Sequence, residues 1–568
     1  MTNELIRDEK IWQIESPITP QVDENLSTYP QVIRQILFNR GISTEEEAHS
    51  YFRAELPEAF HSARLAGLDE AVSRIAFAIE NQEIIVVYGD YDVDGVTATA
   101  LLTLALEAMG ANVRPYIPNR FDEGYGLNND AIDVLHEEGT GLIITVDCGI
   151  RSPEEARYAH QLGIDVIISD HHQPGNILPE AVAIINPKQA SDPYPFKELA
   201  GVGLAYKIVE ALVEQLEATN LYLPEFLDLV ALGTVADLAP LTEENRTLVR
   251  RGMQSLKYTK HQGLLSLMMI SRISPTKITA SDIGFSLGPR LNAAGRLDSA
   301  LAALDLLLTN DVATAGRLAQ QLEIQNRERQ KITRTIQKIA EQLAFQDEQD
   351  VSLLFAAHPD FNPGVVGLAA SRLTEMYYRP AIVAYQGEHE TRGSCRSIKE
   401  FHITDALDQC QDLLIRHGGH AAAAGFTVEN GRLPELIHRL KQIAQDQLAD
   451  QVLMPTLVAD VEIPLHQLKP DLLKYIDMME PTGYGNRQPH FISRELYVQY
   501  ARAVGTDGAH LKLSVTDGLV TYDAIAFRLG RWLDKMPNKI DLLYTFELNE
   551  FNGRTNLQLN VKDIKPSV

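Results

Sequence analysis

A strand-like run that leads directly into three aspartates limits what this chain can fold into. The apolar run Ile84–Val87 is followed by a turn with carboxylates at alternate positions, namely Asp90, Asp92 and Asp94. A helix-like segment then starts at about Thr97. The pattern predicts a buried strand, a tight turn and a helix start. Three like charges so close together repel one another unless a cation neutralises them, so the turn predicts a divalent metal site.

Two other interpretations of this turn are a calcium-binding loop and a solvated acidic turn. Asp90, Asp92, Asp94 and Gly95 match the first, third, fifth and sixth positions of a calcium loop. The twelfth position of that loop needs glutamate and is Leu101 here. The calcium motif also needs a helix where this chain has a strand-like run. A solvated turn does not explain why the carboxylates follow a buried strand.

Two further strand-like runs end in side chains that bind metals. Leu142–Val146 is followed by Asp147, and Val166–Ser169 is followed by Asp170–His172. The carboxyl ends of parallel strands meet at one edge of a sheet, so we expect these side chains to lie together. Asp237 stands in an apolar segment, where a buried carboxylate needs a partner. Carboxylates and imidazoles without thiolates favour Mn²⁺ or Mg²⁺. Five or six ligands predict two ions about 3.5–4 Å apart.

Composition limits the class of protein. A chain of 568 residues predicts three or four domains. The net charge of -26 argues against nonspecific coating of nucleic acid, but not against an enzyme with a local basic groove. The three cysteines form no CxxC pair, so no disulfide framework or zinc knuckle is expected. No apolar run has the length of a membrane span and the N-terminus lacks a signal peptide's apolar stretch. We therefore expect a cytoplasmic protein without membrane contact.

The alternation of strand and helix changes along the chain and predicts an α/β protein of five regions. They are a mostly helical N-terminal segment (1–60), an α/β domain with a mainly parallel sheet (61–310), a long connecting helix (311–345), a second α/β domain (346–450) and a small β-barrel (451–568). Strand candidates in the two α/β domains are Glu83–Gly89, Asn112–Ile117, Gly141–Asp147, Asp165–Ser169, Val351–Ala356 and Ala381–Ala384. Helix candidates include Ala98–Met109 and Pro153–Leu162. The strand candidates in the barrel are Leu496–Ala503, Leu511–Val515, Ala524–Phe527, Leu542–Leu548 and Leu557–Val561. Asn552-Gly553 is a hairpin signal between the last two of them.

The motifs around these residues resemble those of the DHH phosphoesterase superfamily. Its four motifs match, in order, Asp92–Asp94, Asp147, Asp170–His172 and Asp237, and Gly418–Phe426 resembles the motif of the accompanying DHHA1 domain. Within the superfamily the chain is similar to the RecJ family of bacterial single-strand-specific 5′→3′ exonucleases, which implies that the barrel is an OB fold. The similarity covers nearly all of residues 60–568. Further matching segments are Pro118–Phe121, Leu287–Arg296, Gly393–Ser397 and Gly483–Asn486.

The resemblance implies a role for each of the metal-type side chains. The residues expected to bind the two ions are Asp90, Asp92, Asp94, Asp147, His171 and Asp237. Asp147 would bridge the ions, and Asp90 would be either a ligand or a nearby acceptor. His172 would support the site by hydrogen bonding or proton transfer, so Asp147, His171 and His172 form the catalytic group. The alternative is that the two histidines are structural.

Basic and small residues would bind the substrate. The candidates are Arg120, Arg290, Asn292, Arg296, Ser394, Arg396 and His420. Arg120, Arg290 and Arg296 stand in predicted loops, which suits close approach to a phosphate. Chemistry alone supports the pairing of each arginine with a carboxylate of the protein equally well. The resemblance favours phosphate binding. It also implies that Ser394, Arg396 and His420 face the metals across a cleft and recognise the 5′-phosphate end. Tight helix packing is an alternative for Ala421–Ala424.

The resemblance implies an exonuclease that hydrolyses single-stranded DNA from the 5′ end to 5′-mononucleotides, in DNA repair and recombination. It implies a monomer that works with single-strand-binding protein and a RecQ-type helicase. One alternative is a phosphodiesterase for short oligonucleotides or cyclic dinucleotides, whose known members lack the barrel. Another is a non-catalytic scaffold, whose known members lose the acidic motifs. The chain departs from the family at Phe361 and Asn362, often Trp and His, and at Tyr484, often Pro.

Overall fold

The computed structural model describes residues 9–120, 122–218, 221–346, 352–551 and 554–567. Phe121, Val351 and the hairpin signal Asn552-Gly553 lie outside these ranges. The chain divides into two compact units, one formed by residues up to Gln13 with Ile324–Val458 and the other by Ile14–Glu323 with Ala459–Val568. Within the described ranges, each helix is too short or too polar to cross a membrane.

The N-terminal segment contains three helices, as predicted, and a short strand that was not predicted. Its elements are β1 (Ile11–Ile14), α1 (Pro20–Asn25), α2 (Gln31–Asn39) and α3 (Glu45–Arg53). Strand β1 pairs with Thr456–Ala459. Leu26 and Ile33 share one hydrophobic core with the barrel residues Phe491 and Leu513. The helices of this segment are therefore part of the packing of the C-terminal barrel.

The first α/β domain is built on a five-stranded parallel sheet. Its first half contains α4 (Leu68–Glu80), β2 (Ile84–Gly89), α5 (Val93–Ala108), β3 (Asn112–Tyr116), α6 (Asn129–Glu137), β4 (Thr140–Val146), α7 (Pro153–Gln161), β5 (Asp165–Ser169) and β6 (Ala183–Ile185). The strand order is β3-β2-β4-β5-β6, and all pairings are parallel. The order reverses between β2 and β4, which opens a crevice at the carboxyl ends of these strands.

Helices cover both faces of this sheet and bury its apolar runs. The helices after β6 are α8 (Gly201–Gln215), α9 (Leu227–Ala236), α10 (Glu243–Leu256), α11 (Gln262–Ile270), α12 (Ala280–Asp282), α13 (Gly288–Leu297) and α14 (Leu301–Leu308). Helix α5 is buried on almost every side, as expected for a helix without a polar face. It starts four residues earlier than the predicted Thr97, because Asp92 caps it.

A single long helix follows, as predicted, and leads to a mixed sheet. The elements are α15 (Val312–Ala344), β7 (Leu354–His358), α16 (Val366–Tyr377), β8 (Ala381–Gln386), β9 (Glu390–Arg396), α17 (Ile403–Asp408), β10 (Leu414–His420), β11 (Ala423–Glu429) and α18 (Leu433–Leu448). The strand order is β10-β11-β9-β8-β7, and only the pair β7–β8 is parallel. The second α/β domain was predicted from the alternation of strands and helices.

The C-terminal region is a closed five-stranded barrel, which confirms the predicted OB-type fold. Its elements are β12 (Thr456–Ala459), β13 (Val461–Glu462), α19 (Asp471–Met478), β14 (Phe491–Val504), β15 (His510–Thr516), β16 (Thr521–Ala526), β17 (Lys539–Phe551) and β18 (Arg554–Pro566). The order β14-β15-β16-β18-β17 closes through the pairing of β17 with β14. The predicted strands lie within these elements, apart from Phe527, which follows β16.

Candidate metal centre and substrate cavity

Two helix N-termini orient the aspartates that follow β2. Oδ1 of Asp92 accepts hydrogen bonds from the backbone N–H groups of Asp94 (2.9 Å) and Gly95 (3.2 Å), so Asp92 caps α5. The fully buried carboxylate of Asp94 accepts from the backbone N–H groups of Gly201 (2.6 Å) and Val202 (2.9 Å) at the start of α8. Both helix dipoles thus favour negative charge at this turn.

Asp147 follows β4 in a strained backbone conformation. Its φ of 62° lies in the left-handed region, which aspartate tolerates better than most residues. Gly201 makes room for it, because a Cβ on Gly201 would lie 2.8 Å from Cβ of Asp147. Oδ1 of Asp147 lies 3.0 Å from Nε2 of His171. The backbone therefore holds this carboxylate against the first histidine after β5.

His171 lies between three carboxylates. Besides its contact with Asp147, its Nε2 lies 3.8 Å from Oδ2 of Asp94 and 3.8 Å from Oδ2 of Asp237, the residue that ends α9. Burial and the neighbouring His172 lower the pKa of His171 to about 3. A hydrogen bond with the backbone of Leu199 also holds the imidazole and opposes this lowering of its pKa. The imidazole is therefore neutral and oriented, the form that binds a metal ion.

His172 is held by Asp170. Oδ1 of Asp170 lies 2.7 Å from Nδ1 of His172, and Asp170 also accepts from the backbone N–H groups of His172 and Ile150, each at 3.0 Å. Burial alone would lower the pKa of His172, but the bond to Asp170 raises it overall. The hydroxyl of Tyr125 lies 3.3 Å from the same Nδ1. The sequence placed Asp170 among the metal-type side chains that follow a strand but did not indicate that it supports His172, and it gave no signal for Tyr125.

The buried polar atoms of this cluster lack sufficient partners. Oδ1 of Asp90, Oδ1 of Asp147 and Nε2 of His171 accept or donate no hydrogen bond among the described residues. Burial and neighbouring carboxylates raise the pKa of Asp94 to about 7 and that of Asp237 to about 9. The same causes raise the pKa of Asp90 and Asp147 well above the usual range. Such a concentration of buried negative charge fits a divalent cation.

The ligand atoms form three groups in which all atoms lie within 4.8 Å of one another. The groups are Asp90, Asp92 and Asp147; Asp94, His171 and Asp237; and Asp147, His171 and His172. The structure thus brings together all six residues predicted to bind metal. Asp92 and Asp94 belong to different groups, and Asp147 belongs to two. Oxygen and imidazole ligands without thiolate suit Mn²⁺ or Mg²⁺.

A cavity of about 250 Å³ opens beside the acidic turn. It is lined by Asp90, Tyr91, Asp92, Arg120, Tyr125, His172, Asn292, Gly295 and Arg296. Three of the predicted substrate-binding residues, Arg120, Asn292 and Arg296, therefore lie next to the metal-type ligands. The guanidinium of Arg120 lies 4.9 Å from the ring centroid of Tyr91. Basic groups beside buried carboxylates can hold a phosphate that approaches bound cations.

Arg290 does not line this cavity. Its Nε lies 2.7 Å from Oε2 of Glu323, and its Nη1 donates to the carbonyl of Ser286 at 2.6 Å. The prediction that Arg290 and Arg296 stand in loops is wrong, because both belong to α13. Pro289 at the start of that helix and the alanines after it explain the helical conformation. The alternative of pairing with a carboxylate holds for Arg290.

The predicted residues of the second α/β domain lie on β9 and β10. Nη1 of Arg396 donates to the carbonyl of Cys395 at 2.8 Å and to Oγ of Ser394 at 3.4 Å. Burial lowers the pKa of Arg396, and no ion pair joins it to a carboxylate of the described residues. His420 is exposed at the end of β10. That these side chains face the metals across a cleft stays a prediction.

The glycine-rich segment forms a β-hairpin, so the alternative of helix packing through alanines is wrong. Gly418 pairs with Gly425 across β10 and β11. Gly419 has a φ of 149°, and a Cβ there would lie 2.4 Å from the carbonyl oxygen of Ala423. Only glycine fits at this position of β10. Of the unusual positions, Phe361 is buried and Asn362 accepts a bond from the N–H of Gly364, while Tyr484 is exposed.

Comparisons with known proteins match this arrangement along almost the whole chain. Family models match at residues 84–234 (DHH family, N-terminal domain), 350–446 (DHHA1 domain) and 459–563 (RecJ OB domain). The single-stranded-DNA-specific exonuclease RecJ of Bacillus subtilis is 37% identical over 559 residues, which cover 97% of this chain and 70% of that protein. Its Escherichia coli counterpart is 35% identical over 573 residues, which cover 96% of this chain and 98% of that protein.

Solved structures show the same likeness. RecJ from Thermus thermophilus in complex with Mn²⁺ is 30% identical, with a TM-score of 0.85 over 99% of this chain and 80% of that one. The structure of that protein with Mg²⁺ is 29% identical, with a TM-score of 0.79 over 99% of this chain and 79% of that one. The matched family ranges fall inside three of the predicted regions, whose boundaries stay predictions.

Proposed function

Because this chain belongs to the RecJ family of single-stranded-DNA-specific exonucleases, we propose that the acidic cluster at the ends of β2, β4 and β5 is its active site. The protein is an exonuclease that hydrolyses single-stranded DNA with divalent metal ions, Mn²⁺ or Mg²⁺. One observation carries the assignment of the site. Asp90, Asp147 and His171 keep buried polar atoms without a hydrogen-bond partner among the described residues, beside a cavity lined by arginines.

The two ions would be held by the groups that the ligand atoms form. Asp94, His171 and Asp237 would hold one ion, and Asp90 and Asp92 the other, with Asp147 shared between them. When bound, the cations would neutralise these carboxylates and stabilise the charge that develops on the phosphate oxygens. Asp170 keeps His172 oriented by the contact at its Nδ1.

The substrate's phosphates would be held by basic groups on either side of the acidic turn. Arg120 and Arg296 line the cavity from different elements, and Asn292 adds an amide. Such groups can donate hydrogen bonds to a phosphate, and Gly295 leaves room beside them because it has no side chain. Ser394, Arg396 and His420 would recognise the 5′-phosphate end and the first nucleotides. Support for that part comes from the uncompensated guanidinium of Arg396 and from the resemblance to the family.

The polarity and the setting of the reaction are part of the same proposal. The enzyme would begin at the 5′ end, release 5′-mononucleotides and act in DNA repair and recombination. It would work in the cytoplasm as a monomer, alongside single-strand-binding protein and a RecQ-type helicase. These statements rest on the family resemblance. A strand labelled separately at each end tests the polarity: the 5′ label should appear first as a mononucleotide, and early release of the 3′ label would contradict it.

Substitution of Asp147 tests the assignment of the site. Asp147→Asn keeps the shape of the side chain but removes the charge shared between the ligand groups. We expect kcat to fall at least about 10³-fold, the scale of losing one group that stabilises transition-state charge. Bound Mn²⁺, measured by metal analysis, should fall below two ions per chain. The exposed Asp130→Asn is the matched control. Wild-type turnover by Asp147→Asn would refute the site.

A further inference from the structure

The connecting helix α15 carries a row of exposed basic side chains. The row consists of Arg327, Lys331, Arg334 and Lys338, all of which are exposed. Their spacing of four, three and four residues places them along one face of the helix. Eleven residues of α-helix extend the row over about 16 Å. Gln330 and Thr335 complete the lining of a shallow cavity of about 290 Å³ along this row.

The charge of this row contrasts with the rest of the chain. Residues 327–338 contain five basic residues and one acidic residue, whereas the whole chain has a net charge of -26. Among the described residues, the side chains of Lys331, Arg334 and Lys338 make no hydrogen bond and no ion pair. Like charges at this spacing repel one another and destabilise a helix. Lys331, Arg334 and Lys338 therefore carry positive charge that the described part of the chain leaves uncompensated.

The helix does not need this face for its own packing. The buried row, Asn326, Thr333, Ile336 and Ala340, lies on a different face, about 145° around the axis. Two carboxylates that lie one turn beyond the ends of the row have other partners, and Glu328 is the single acidic residue within the segment. Glu323 pairs with Arg290, and Glu341 accepts from the hydroxyl of Tyr377. The buried face of the helix therefore packs within the fold, whereas the basic face has no packing role. We attribute the basic face to contact with an external anion.

We propose that the row Arg327, Lys331, Arg334 and Lys338 binds the sugar–phosphate backbone of single-stranded DNA outside the catalytic cavity. The inference rests on the proposed function for its choice of polyanion. A regular row of cations fits the repeated charge of a nucleic-acid backbone. Between the cations stand Gln330 and Thr335, with no exposed aromatic or apolar anchor of the kind that marks protein interfaces. The row would add affinity without selecting a sequence, because it reaches phosphates and not base edges.

The salt dependence of binding tests this proposal. The triple variant K331Q/R334Q/K338Q and the wild type are titrated with a 30-nucleotide 5′-phosphorylated strand by fluorescence anisotropy, in EDTA, between 50 and 200 mM salt. Each phosphate neutralised on a single strand contributes about 0.7 to the slope of log affinity against log salt, so the slope should fall by about 2. The loss of affinity across this salt range should then be about 20-fold smaller in the variant. Cleavage of a 5′-phosphorylated trinucleotide should stay within twofold of wild type, which shows that the variant is folded.

The control R53Q/R64Q/K277Q removes the same charge from three exposed positions that form no row. Its slope should equal that of the wild type. An unchanged slope in the row variant, or an equal drop in the control, would overturn the proposal. The two proposals fail separately. If the wild type does not cleave DNA but the row variant shows the smaller salt slope, the proposed function fails and the binding role of the row stands. If the wild type cleaves normally and the row variant keeps the wild-type slope, only the binding role of the row fails.

Discussion

The sheet edge of the first α/β domain carries carboxylates and imidazoles, whereas strand β9 of the second carries a guanidinium, and the two sets of side chains are supported in different ways. At the first edge, Asp94 and Asp147 are buried among other carboxylates, and the cluster keeps polar atoms without partners among the described residues. On β9, Arg396 bonds to its own strand through the carbonyl of Cys395. Buried carboxylates without partners need a bound cation, because their negative charges otherwise destabilise the fold. The guanidinium of Arg396 is hydrogen-bonded to its own strand, so it needs no bound ligand to be stable in the fold. We therefore expect substitutions at the first edge to affect the chemistry, and those on β9 to affect substrate affinity.

Among substitutions that leave the metal-type ligands in place, Asp170→Asn should show the largest effect, because Asp170 holds His172 within the first edge. The substitution keeps an oxygen near Nδ1 of His172 but removes the charge that raises the pKa of His172. Loss of such a supporting group reduces activity or metal affinity by about 10–100-fold. The measurements are kcat/KM, Mn²⁺ titration and the NMR titration of His172, whose pKa should fall.

The matched control for Asp170 is Asp133→Asn. Oδ1 of Asp133 accepts a hydrogen bond from the hydroxyl of Tyr158 at 2.6 Å, so this control also removes a charge that is bonded to a ring group. Asp133 is not part of any of the metal-type groups. We expect wild-type activity from it. Equal activity in Asp170→Asn and wild type would show that the chemistry does not depend on the orientation of His172.

Arg396→Gln tests the other side of the comparison and should act on KM. Loss of one charged hydrogen bond to a phosphate costs about 1.5 kcal/mol, which corresponds to about a tenfold rise in KM. We expect kcat to stay within twofold, because the acidic cluster is unchanged. The steady-state rates are measured on strands with a 5′-phosphate and a 5′-hydroxyl. If Arg396 reads the phosphate, variant and wild type should converge on the hydroxyl strand.

Arg392→Gln is the control on the same strand. Arg392 lies on β9 and pairs with Glu390 at 2.6 Å, so its charge is already compensated. It should leave KM unchanged on both strands. A loss of kcat in Arg396→Gln without a rise in KM would contradict the division between the two regions, because β9 would then act on the chemistry.

The acidic cluster could be predicted from the sequence because parallel strands bring their carboxyl ends to one edge. Once β2, β4 and β5 were identified, Asp94, Asp147 and His171 had to lie near one another. The barrel was predictable for a similar reason, since its strands alternate apolar and polar residues. Element boundaries differed by up to a few residues, mostly at capped ends such as that of α5.

Residues that depend on long-range packing could not be predicted. Arg290 and Arg296 lie six residues apart on α13, and only the fold decides that one meets Glu323 and the other the cavity. The support of Asp94 by the N–H groups that start α8 joins segments more than a hundred residues apart. The hairpin of Gly418–Gly425 was ambiguous because alanines and glycines carry little periodic signal.

The pH dependence of Tm in the metal-free protein is the smallest of the expected effects. It tests directly whether the buried carboxylates of the first edge lack compensating partners. Burial raises the pKa of Asp94 to about 7 and of Asp237 to about 9 in the folded protein, against about 4 for an unfolded aspartate. A raised folded pKa contributes stability at low pH that is lost as pH rises through the folded value. In EDTA, Tm should therefore fall between pH 6 and pH 9, by about 2–4 °C for each kcal/mol of stability lost.

Asp237→Asn should flatten this fall, because one of the titrating carboxylates is gone. Asp517→Asn is the control, since backbone and His466 hydrogen bonds outweigh burial and lower the pKa of Asp517 to about 2, so it does not titrate in this range. Mn²⁺ should reverse the trend, because metal ions bind the deprotonated ligands and their affinity rises with pH. If Tm in EDTA were equally flat in wild type and Asp237→Asn, the carboxylates would be compensated within the protein. The first edge would then resemble β9, with its polar groups supported without a resident cation.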